Sequence, residues 1–262
     1  MPELPEVEQY RRLLVEHALR RRIASVGADD AWYLKRGLDG DQARRLLTGT
    51  SLVGARRRGK LLLVDTDGPV PVVGLRFGMS GRLLVDGRSA IERLLYSPAQ
   101  TVGKWDRFVL RFEDGGDLRM QDPRRLGGVE LDPDESRLGP DALEATLADM
   151  RAALAGATVA LKARLLDQSK LAGVGNLVAD ELLWRTGLSP LRPAGGLDTG
   201  EVRRLHRGLH ATLGLLIRRG GSHTGDLMPA RRPGGRCPAD GAELCRSTVG
   251  GRTSWWCPQH QE

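Results

Sequence analysis

The first residues of the chain carry groups suited to covalent chemistry on an electrophilic carbon. Removal of Met1 would leave Pro2 with a free secondary amine, and the pKa of an N-terminal amine lies well below that of a lysine side chain. Such an amine can attack a carbon and form an iminium directly. Glu3 could then protonate a sugar ring oxygen or shuttle protons, and Glu6 could hold the amine or the helix start in place. The alternative is that this segment is only a helix N-terminus, where proline and acidic residues are favoured.

A second group of chemically competent residues lies near the C-terminus. All three cysteines, Cys237, Cys245 and Cys257, fall within the last 26 residues. An odd count in a chain expected to meet reducing conditions argues against a disulfide framework. The terminal Cys257-Pro-Gln-His260 is typical of metal ligands. We therefore predict a metal site here, the alternative being cysteines buried as small hydrophobic residues.

Length and composition exclude several protein classes. With 262 residues, 40% of them hydrophobic and 28% charged, the chain is long enough for one large domain or two to three small ones, each with a buried core. This excludes a disordered tail and a disulfide-held miniprotein. No apolar run approaches the roughly 20 residues that span a bilayer, and the acidic N-terminus lacks the profile of a signal peptide. We expect a cytoplasmic protein without a membrane-spanning segment.

The distribution of charge points to the partner. Residues 1–150 hold 24 basic and 24 acidic side chains, whereas residues 151–262 hold 16 basic and 9 acidic ones, so the whole excess of +7 lies in the second part. A polyanion such as nucleic acid suits this asymmetry, although a membrane surface would suit it too.

Periodicity predicts the elements that must position these groups. An apolar face at three- and four-residue spacing after Pro5 predicts a helix. Short β-type runs between residues 50 and 131, separated by Asp-Gly and Gly-Gly turns, predict an antiparallel sandwich or barrel. A linker rich in proline, aspartate and glycine around residue 135 predicts a domain boundary. Helical periodicity follows in the segments 141–155, 159–167, 175–186 and 199–219.

The predicted fold class is therefore a multidomain α+β protein. It has an N-terminal domain over residues 1–134 with a helix and an antiparallel β-sandwich, a helical DNA-binding domain over 135–222, and a small C-terminal segment over 223–262 that holds the cysteines.

Several motifs in the same order resemble the formamidopyrimidine-DNA glycosylase and endonuclease VIII family of base-excision repair enzymes. Besides the opening MPELPEVE, the chain contains the motifs Arg58-Gly-Lys60, Gly78-Met-Ser-Gly-Arg-Leu83, Asp122-Pro-Arg-Arg-Leu-Gly127, Ala172-Gly-Val-Gly-Asn-Leu-Val-Ala-Asp-Glu181 and Arg252-Thr-Ser-Trp-Trp-Cys-Pro258. The resemblance implies an N-terminal β-sandwich, a helix–two-turn–helix module near residues 160–220 and a terminal zinc-finger β-hairpin.

The resemblance also implies roles for individual residues. Pro2 would attack C1′ of a damaged nucleoside and Glu3 would transfer protons, with β- and δ-elimination following from the Schiff base. Lys60, Asn176 and Arg252 would hold phosphates beside the lesion. The alternatives are a solvated lysine at a strand end for Lys60 and an ordinary helix cap for Asn176. No catalytic cofactor is expected.

A flipped-out base leaves a hole in the duplex, and the resemblance implies that Met79, Arg124 and Leu126 fill it. Met79 and Leu126 could instead be ordinary core residues.

The sequence departs from the family pattern in three places. Arg76 replaces a phosphate-contacting histidine, and as an arginine it would keep the phosphate contact. Leu126 replaces an aromatic wedge, which puts the preference for the opposite base in doubt. Only 15 residues separate Gly221 from Cys237, too few for the loop that closes over 8-oxoguanine in the oxidised-purine branch.

The finger is a further departure from the family. The four cysteine positions of its zinc site align here with Cys237, Asp240, Cys257 and His260. Zinc accepts thiolate, imidazole and carboxylate ligands, so this set is chemically acceptable, and Cys245 is an alternative to Asp240. A hairpin held without metal, by its tryptophans, is the other possibility.

These observations lead to one principal hypothesis and two rivals. The principal one is a monomeric, cytoplasmic and nucleoid-associated DNA glycosylase with AP-lyase activity that removes oxidised or ring-opened bases from damaged double-stranded DNA. No membrane partner is expected. One rival is a non-catalytic protein that binds lesions or abasic DNA. The other keeps the enzyme but changes its lesion, to oxidised pyrimidines, abasic sites alone or bulky alkylated bases.

Overall fold

The structure is a computed structural model that describes residues 2–91, 94–95 and 102–262. The chain forms two compact units. The first, here the sheet unit, comprises Pro2 and residues 6–135; the second, the helical unit, comprises residues 3–5 and 136–262. The first helix, α1, spans Leu4–His17 and belongs mainly to the sheet unit.

The sheet unit contains two four-stranded antiparallel sheets. Their strands are β1 (Ile23–Gly27), β2 (Leu52–Arg58), β3 (Leu61–Thr66), β4 (Val72–Arg76), β5 (Arg82–Val85), β6 (Asp106–Phe112), β7 (Asp117–Gln121) and β8 (Gly128–Leu131). One sheet has the order β1-β6-β7-β5 and the other β2-β3-β4-β8. A short helix, α2, spans Gly40–Leu47, and the Asp39 side chain caps it by accepting a hydrogen bond from the Gln42 amide.

Apolar side chains from both sheets and from one face of α1 form a continuous core. Tyr10, Leu14 and Phe77 belong to it, and the rings of Tyr10 and Phe77 stack with their centroids 4.7 Å apart. Burial of this apolar face, more than helix propensity, holds α1 in place.

The helical unit contains four helices and a hairpin. They are α3 (Leu147–Leu154), α4 (Leu161–Leu166), α5 (Asn176–Thr186), α6 (Thr199–Arg218), β9 (Cys245–Val249) and β10 (Arg252–Trp256). A second core, which includes Leu4, lies among the helices. Leu227, Cys237, Leu244, Trp255 and Cys257 form a third, small cluster beneath the hairpin.

The predicted fold class is confirmed: antiparallel sheets come first, then a helical region and a terminal hairpin. The predicted helix over 141–155 is shorter than expected and spans only Leu147–Leu154, because the Thr146 side chain accepts a hydrogen bond from the Asp149 amide and starts the helix there. Among the described residues no helix is long and apolar enough to cross a membrane.

Candidate active site and DNA-binding residues

Glu3 is bound to the N-terminus of α5. Its side chain is buried, at 1% exposure, and its two carboxylate oxygens accept hydrogen bonds from the backbone amides of Leu177, at 2.9 Å, and Val178, at 3.0 Å. The first amides of a helix lack intrahelical acceptors and carry partial positive charge, so they stabilise a carboxylate. A residue from the start of the chain thus performs the capping that no side chain of α5's own N-cap, Gly175, can supply.

Gly175 makes this contact possible because it has no side chain. A Cβ atom there would lie 2.1 Å from the carboxyl carbon of Glu3, far inside van der Waals contact. The backbone of Gly175 is extended, with φ −118°, which any residue can adopt. Glycine is therefore required at this position only because there is no space for a side chain. A further hydrogen bond holds the same segment: the Leu4 amide donates to the Gly173 carbonyl at 3.2 Å.

The other residues of the N-terminal motif are buried in the sheet unit. Pro2 precedes Glu3 directly and is buried, and Glu6, in the first turn of α1, is 1% exposed. Glu8 accepts hydrogen bonds from Arg11 and Arg12. Burial alone would raise the pKa of Glu8, but the hydrogen bonds from Arg11 and Arg12, together with the charges of Arg11 and Arg57, outweigh it and lower the pKa to about 2.

Lys60 lies in the tight turn that joins β2 to β3. Arg58 pairs with Leu61, so Gly59 and Lys60 alone form the turn. Lys60 is half-buried. A two-residue turn fixes the direction in which a side chain leaves the hairpin, so the ammonium group is presented by a rigid element.

Arg76 lies at the end of β4 and forms an ion pair. Its Nε donates to Oε1 of Glu130 at 2.6 Å, and Glu130 is 2% exposed. Arg36 contacts the other oxygen of the same carboxylate. Charge neutralisation of a buried Glu130 is thus a structural role for Arg76, in addition to the phosphate contact expected of it.

One buried carboxylate organises the two loops that hold the predicted void-filling residues. Asp122 is fully buried, and its Oδ1 accepts from the Ser80 hydroxyl at 2.5 Å and from the Arg124 amide at 3.1 Å, while its Oδ2 accepts from the Gly127 amide at 2.8 Å. The Met79 turn and the segment 122–127 are therefore tied to the same side chain.

Close backbone packing strengthens this connection. Gly78 has φ 55°, and a Cβ atom there would lie 2.4 Å from the Leu126 carbonyl carbon, so neither the backbone angle nor the space admits a side chain. Met79 is half-buried, whereas Leu126 is 51% exposed and Arg124 is exposed. Arg124 forms no ion pair with any residue that the structure describes. An exposed leucine beside an unpaired arginine, on a loop fixed by a buried carboxylate, suits insertion into a partner.

The remaining predicted phosphate contacts lie in the helical unit. Asn176 is the first residue of α5, directly after Gly175, and its buried Oδ1 accepts no hydrogen bond from the described part of the chain. Arg252 is exposed at the start of β10, next to the Gly250-Gly251 turn. Its guanidinium group has no acidic partner within residues 2–91, 94–95 and 102–262. A helix N-terminus and a free arginine are both suited to phosphate oxygens.

A buried charge network that the sequence did not reveal supports Arg252. Lys162 is 0% exposed, and its Nζ lies 2.6 Å from Oδ1 of Asp180, which also accepts from the Ser254 hydroxyl at 2.9 Å. Arg231 binds Oδ2 of Asp180 at 2.7 Å. The Lys162 ammonium also donates to the Thr253 carbonyl at 3.1 Å. The hairpin strand β10 is thereby fixed to α4 and α5.

Glu181, the next residue of α5, holds the segment that precedes the finger. Its carboxylate accepts from the amides of Asp226, at 3.0 Å, and Leu227, at 2.9 Å. The only sequence signal for this network was the pair of acidic residues in an otherwise buried, apolar helix. Buried acidic residues are rare unless they are paired. Two adjacent acidic residues in a helix that is otherwise mostly apolar therefore indicate partners elsewhere in the chain.

Three of the predicted metal ligands come together. The ligand atoms of Cys237, Asp240 and Cys257 all lie within 4.8 Å of one another. Burial, with the Asp240 carboxylate beside the thiol, raises the pKa of Cys257 to about 11. These donor atoms are of the types that zinc accepts, so the cluster could hold a metal ion.

His260 and Cys245 are placed differently. The group of converging ligand atoms in the described chain does not include His260; its Nε2 lies 2.8 Å from the Trp184 carbonyl oxygen. Cys245 is exposed and begins β9, paired with Trp256. The hairpin register therefore directs Cys245 away from the cluster.

Comparison with known proteins identifies the family. The chain matches the formamidopyrimidine-DNA glycosylase N-terminal domain over residues 1–129 and the H2TH domain of formamidopyrimidine-DNA glycosylase over residues 138–227. It is 36% identical to the formamidopyrimidine-DNA glycosylase of Xanthomonas campestris pv. campestris over 98% of both chains, and 35% identical to that of Paracoccus denitrificans over the full length of both.

Solved structures give the same answer. The complex between Lactococcus lactis Fpg and a DNA containing an abasic site superposes with a TM-score of 0.83 at 27% identity, over 99% of both chains. The structure of MutM in complex with DNA containing carbocyclic 8-oxo-G gives a TM-score of 0.83 at 28% identity, over the full length of both. The chain thus belongs to the formamidopyrimidine-DNA glycosylase family.

Proposed function

We propose that this protein is a base-excision repair DNA glycosylase with AP-lyase activity on damaged double-stranded DNA. The observation that carries the proposal concerns Glu3, which follows Pro2 directly in the chain. Its carboxylate is fixed by two backbone amides at the start of α5. In this arrangement Glu3 would be the proton-transfer group for the amine that Pro2 bears once Met1 is removed.

The chemistry follows from these two groups. The Pro2 nitrogen attacks C1′, the bond from C1′ to the damaged base breaks, and the base leaves with that electron pair. The attacking nitrogen then gives up its proton, and Glu3 takes it and delivers it to the ring oxygen as the bond from C1′ to that oxygen opens. The product is a Schiff base, from which loss of the 3′ and then the 5′ phosphate cuts the strand on both sides.

We assign the phosphate contacts to Lys60, Asn176 and Arg252. The exposed guanidinium of Arg252 and the helix start at Asn176 support the assignment. Arg76 would add a contact with the part of its guanidinium group that Glu130 leaves accessible, since its side chain is 40% exposed. Met79, Arg124 and Leu126 would fill the place of the flipped base.

For the finger we propose a structural zinc ion held by Cys237, Asp240 and Cys257, with His260 as the fourth ligand. A metal-binding histidine commonly donates one ring N–H to a carbonyl oxygen, which leaves the other nitrogen for the metal. The contact from His260 Nε2 to the Trp184 carbonyl fits this pattern and would leave Nδ1. Metal analysis should give about one zinc per chain, with a marked loss in Cys257→Ser and none in the exposed Cys245→Ser. Zinc-free protein that binds DNA normally would contradict the assignment.

We further propose that residues 1–134, 135–222 and 223–262 act as the catalytic domain, the DNA-binding domain and the finger of a monomeric enzyme that works on DNA in the cytoplasm. The base that it removes is an oxidised or ring-opened one. The short segment between Gly221 and Cys237 leaves oxidised pyrimidines and bulky alkylated bases as the alternative substrates.

Borohydride trapping on duplexes that carry 8-oxoguanine, a formamidopyrimidine, an oxidised pyrimidine or an abasic site tests the proposal. Protein whose mass shows that Met1 is absent should form a covalent complex on at least one base lesion, and Pro2→Gly should abolish it. Glu3→Gln should bind the same duplex but remove the base at least about 100-fold more slowly. Tight binding without trapping on any duplex would favour the non-catalytic alternative.

A further inference from the structure

Two histidines of α6 form a cluster that the glycosylase chemistry does not use. His206 and His210 are separated by one helical turn, so their side chains lie on the same face of the helix. Their Nε2 atoms are 3.1 Å apart, and both lie close to the backbone carbonyl oxygen of Ala145, at 2.9 Å and 3.0 Å. Three electronegative atoms thus converge from two separate elements of the helical unit.

Hydrogen bonding alone explains this triangle poorly. The Ala145 oxygen can only accept. If both imidazoles carry a proton on Nε2, the two hydrogens meet between nitrogens 3.1 Å apart. If only one does, the lone pair of the other nitrogen faces the lone pairs of the carbonyl oxygen at about 3 Å. A cation bound to all three atoms would remove the conflict in either case, because each atom would present a lone pair to it.

The dimensions match a metal centre. Imidazole nitrogen and carbonyl oxygen bind first-row divalent ions at about 2.1 Å, and ligands at right angles around such an ion are therefore about 3.0 Å apart. The three edges measured here are 2.9, 3.0 and 3.1 Å. The triangle thus has the size of one face of an octahedron. Neither histidine belongs to the finger cluster.

We propose that His206, His210 and the Ala145 carbonyl form a binding site for a divalent transition-metal ion, separate from the finger. Two imidazoles and one carbonyl suit zinc, nickel or copper, and the lack of a carboxylate among the three donors disfavours calcium and magnesium. Both histidines are half-buried, so solvent reaches them, and water would take the remaining coordination positions. The ion would tie α6 to the loop that precedes α3.

The test uses Ni²⁺ as the probe on the full chain with any metal in the finger left in place. Wild-type protein should bind Ni²⁺ in a calorimetric titration, and His206→Gln or His210→Gln should weaken this site at least about tenfold, since each removes one of three ligands. His17→Gln, a change at a half-buried histidine of the sheet unit, is the matched control and should leave binding unchanged. Ni²⁺ should also raise the Tm of wild type but not of His206→Gln.

Two further measurements distinguish Ni²⁺ binding at the histidines from binding at the finger and from folding defects of the variants. Binding at the histidine site should persist in Cys257→Ser and should give no thiolate-to-metal charge-transfer absorption. In wild-type protein, sub-stoichiometric Ni²⁺ should broaden the NMR ring signals of His206 and His210 ahead of those of the other three histidines. Equal affinity in wild type and both glutamine variants, or broadening that spares these two rings, would overturn the proposal.

Discussion

A Cβ atom on Gly175 would lie 2.1 Å from the carboxyl carbon of Glu3. The contact joins residues 172 positions apart in the sequence, and the lack of a side chain at Gly175 is what admits the carboxylate to the amides of α5.

Replacement of Gly175 by alanine should therefore impair catalysis without disturbing the backbone. Because the extended conformation of Gly175 suits alanine, the methyl group will displace the Glu3 carboxylate instead. We expect base excision to slow by about 100-fold or more, with a loss of about 1–3 kcal/mol in the free energy of unfolding from the two broken hydrogen bonds. Single-turnover excision kinetics measure the first effect.

The control is Gly196→Ala, where the nearest atom to a new Cβ is 3.9 Å away, and it should behave as wild type. Normal excision by Gly175→Ala would show that the position of Glu3 on α5 does not matter for the reaction.

Leu126→Ala should lower activity but not stability. Its side chain is 51% exposed, so its truncation should change the free energy of unfolding by less than about 0.5 kcal/mol. If Leu126 fills the space left by a flipped base, excision from duplex DNA should fall several-fold, while cleavage at a preformed abasic site in single-stranded DNA should change little. Leu191→Ala, at a leucine with 45% exposure, is the matched control, and an equal loss of excision there would argue against a specific role for Leu126.

The buried pair of Lys162 and Asp180 should be sensitive to loss of either partner. Asp180→Asn leaves the Lys162 ammonium buried without its carboxylate, and we expect about 3–5 kcal/mol of destabilisation in urea-induced unfolding. Burial already lowers the pKa of Lys162, so loss of its proton limits this cost. Lys162→Met should cost less, because Asp180 keeps its contacts with Arg231 and Ser254.

An exposed ion pair supplies the comparison. Arg44 and Asp29 lie 2.9 Å apart, with Asp29 88% exposed, and Asp29→Asn should lower the free energy of unfolding far less than Asp180→Asn does. Similar losses in Asp29→Asn and Asp180→Asn would mean that burial of the second pair does not govern its contribution.

Glu8 should contribute stability that acid removes. Its pKa in the folded protein is about 2, against an ordinary value of 4.5, so protons bind the unfolded chain more readily. The stabilisation is therefore complete above about pH 5.5 and is lost as the pH falls from 4.5 towards 2. The difference in Tm between wild type and Glu8→Gln should narrow over that range.

Glu16→Gln, at a side chain with 73% exposure, should show little difference from wild type at any pH. A difference for Glu8→Gln that stays constant down to pH 3 would contradict the role given to the arginine contacts of Glu8.

The sequence by itself determined the class of fold, the order of its elements and the family. Apolar spacing after Pro5 and alternating runs bounded by glycine turns depend on only a few neighbouring residues, so they can be interpreted without the fold. The motifs and their order along the chain also indicated Pro2, Lys60 and Asn176 as candidate functional residues.

The tertiary structure alone decided how these residues are held. Glu3 finds its amides 174 and 175 positions away, Arg76 is paired with Glu130, and Asp180 gathers Lys162, Arg231 and Ser254 from three separate segments. The convergence of His206 and His210 on the Ala145 carbonyl involves a backbone atom 61 and 65 positions away. Such contacts depend on which surfaces pack together when the cores form. The periodicity of side chains along one segment therefore cannot predict them.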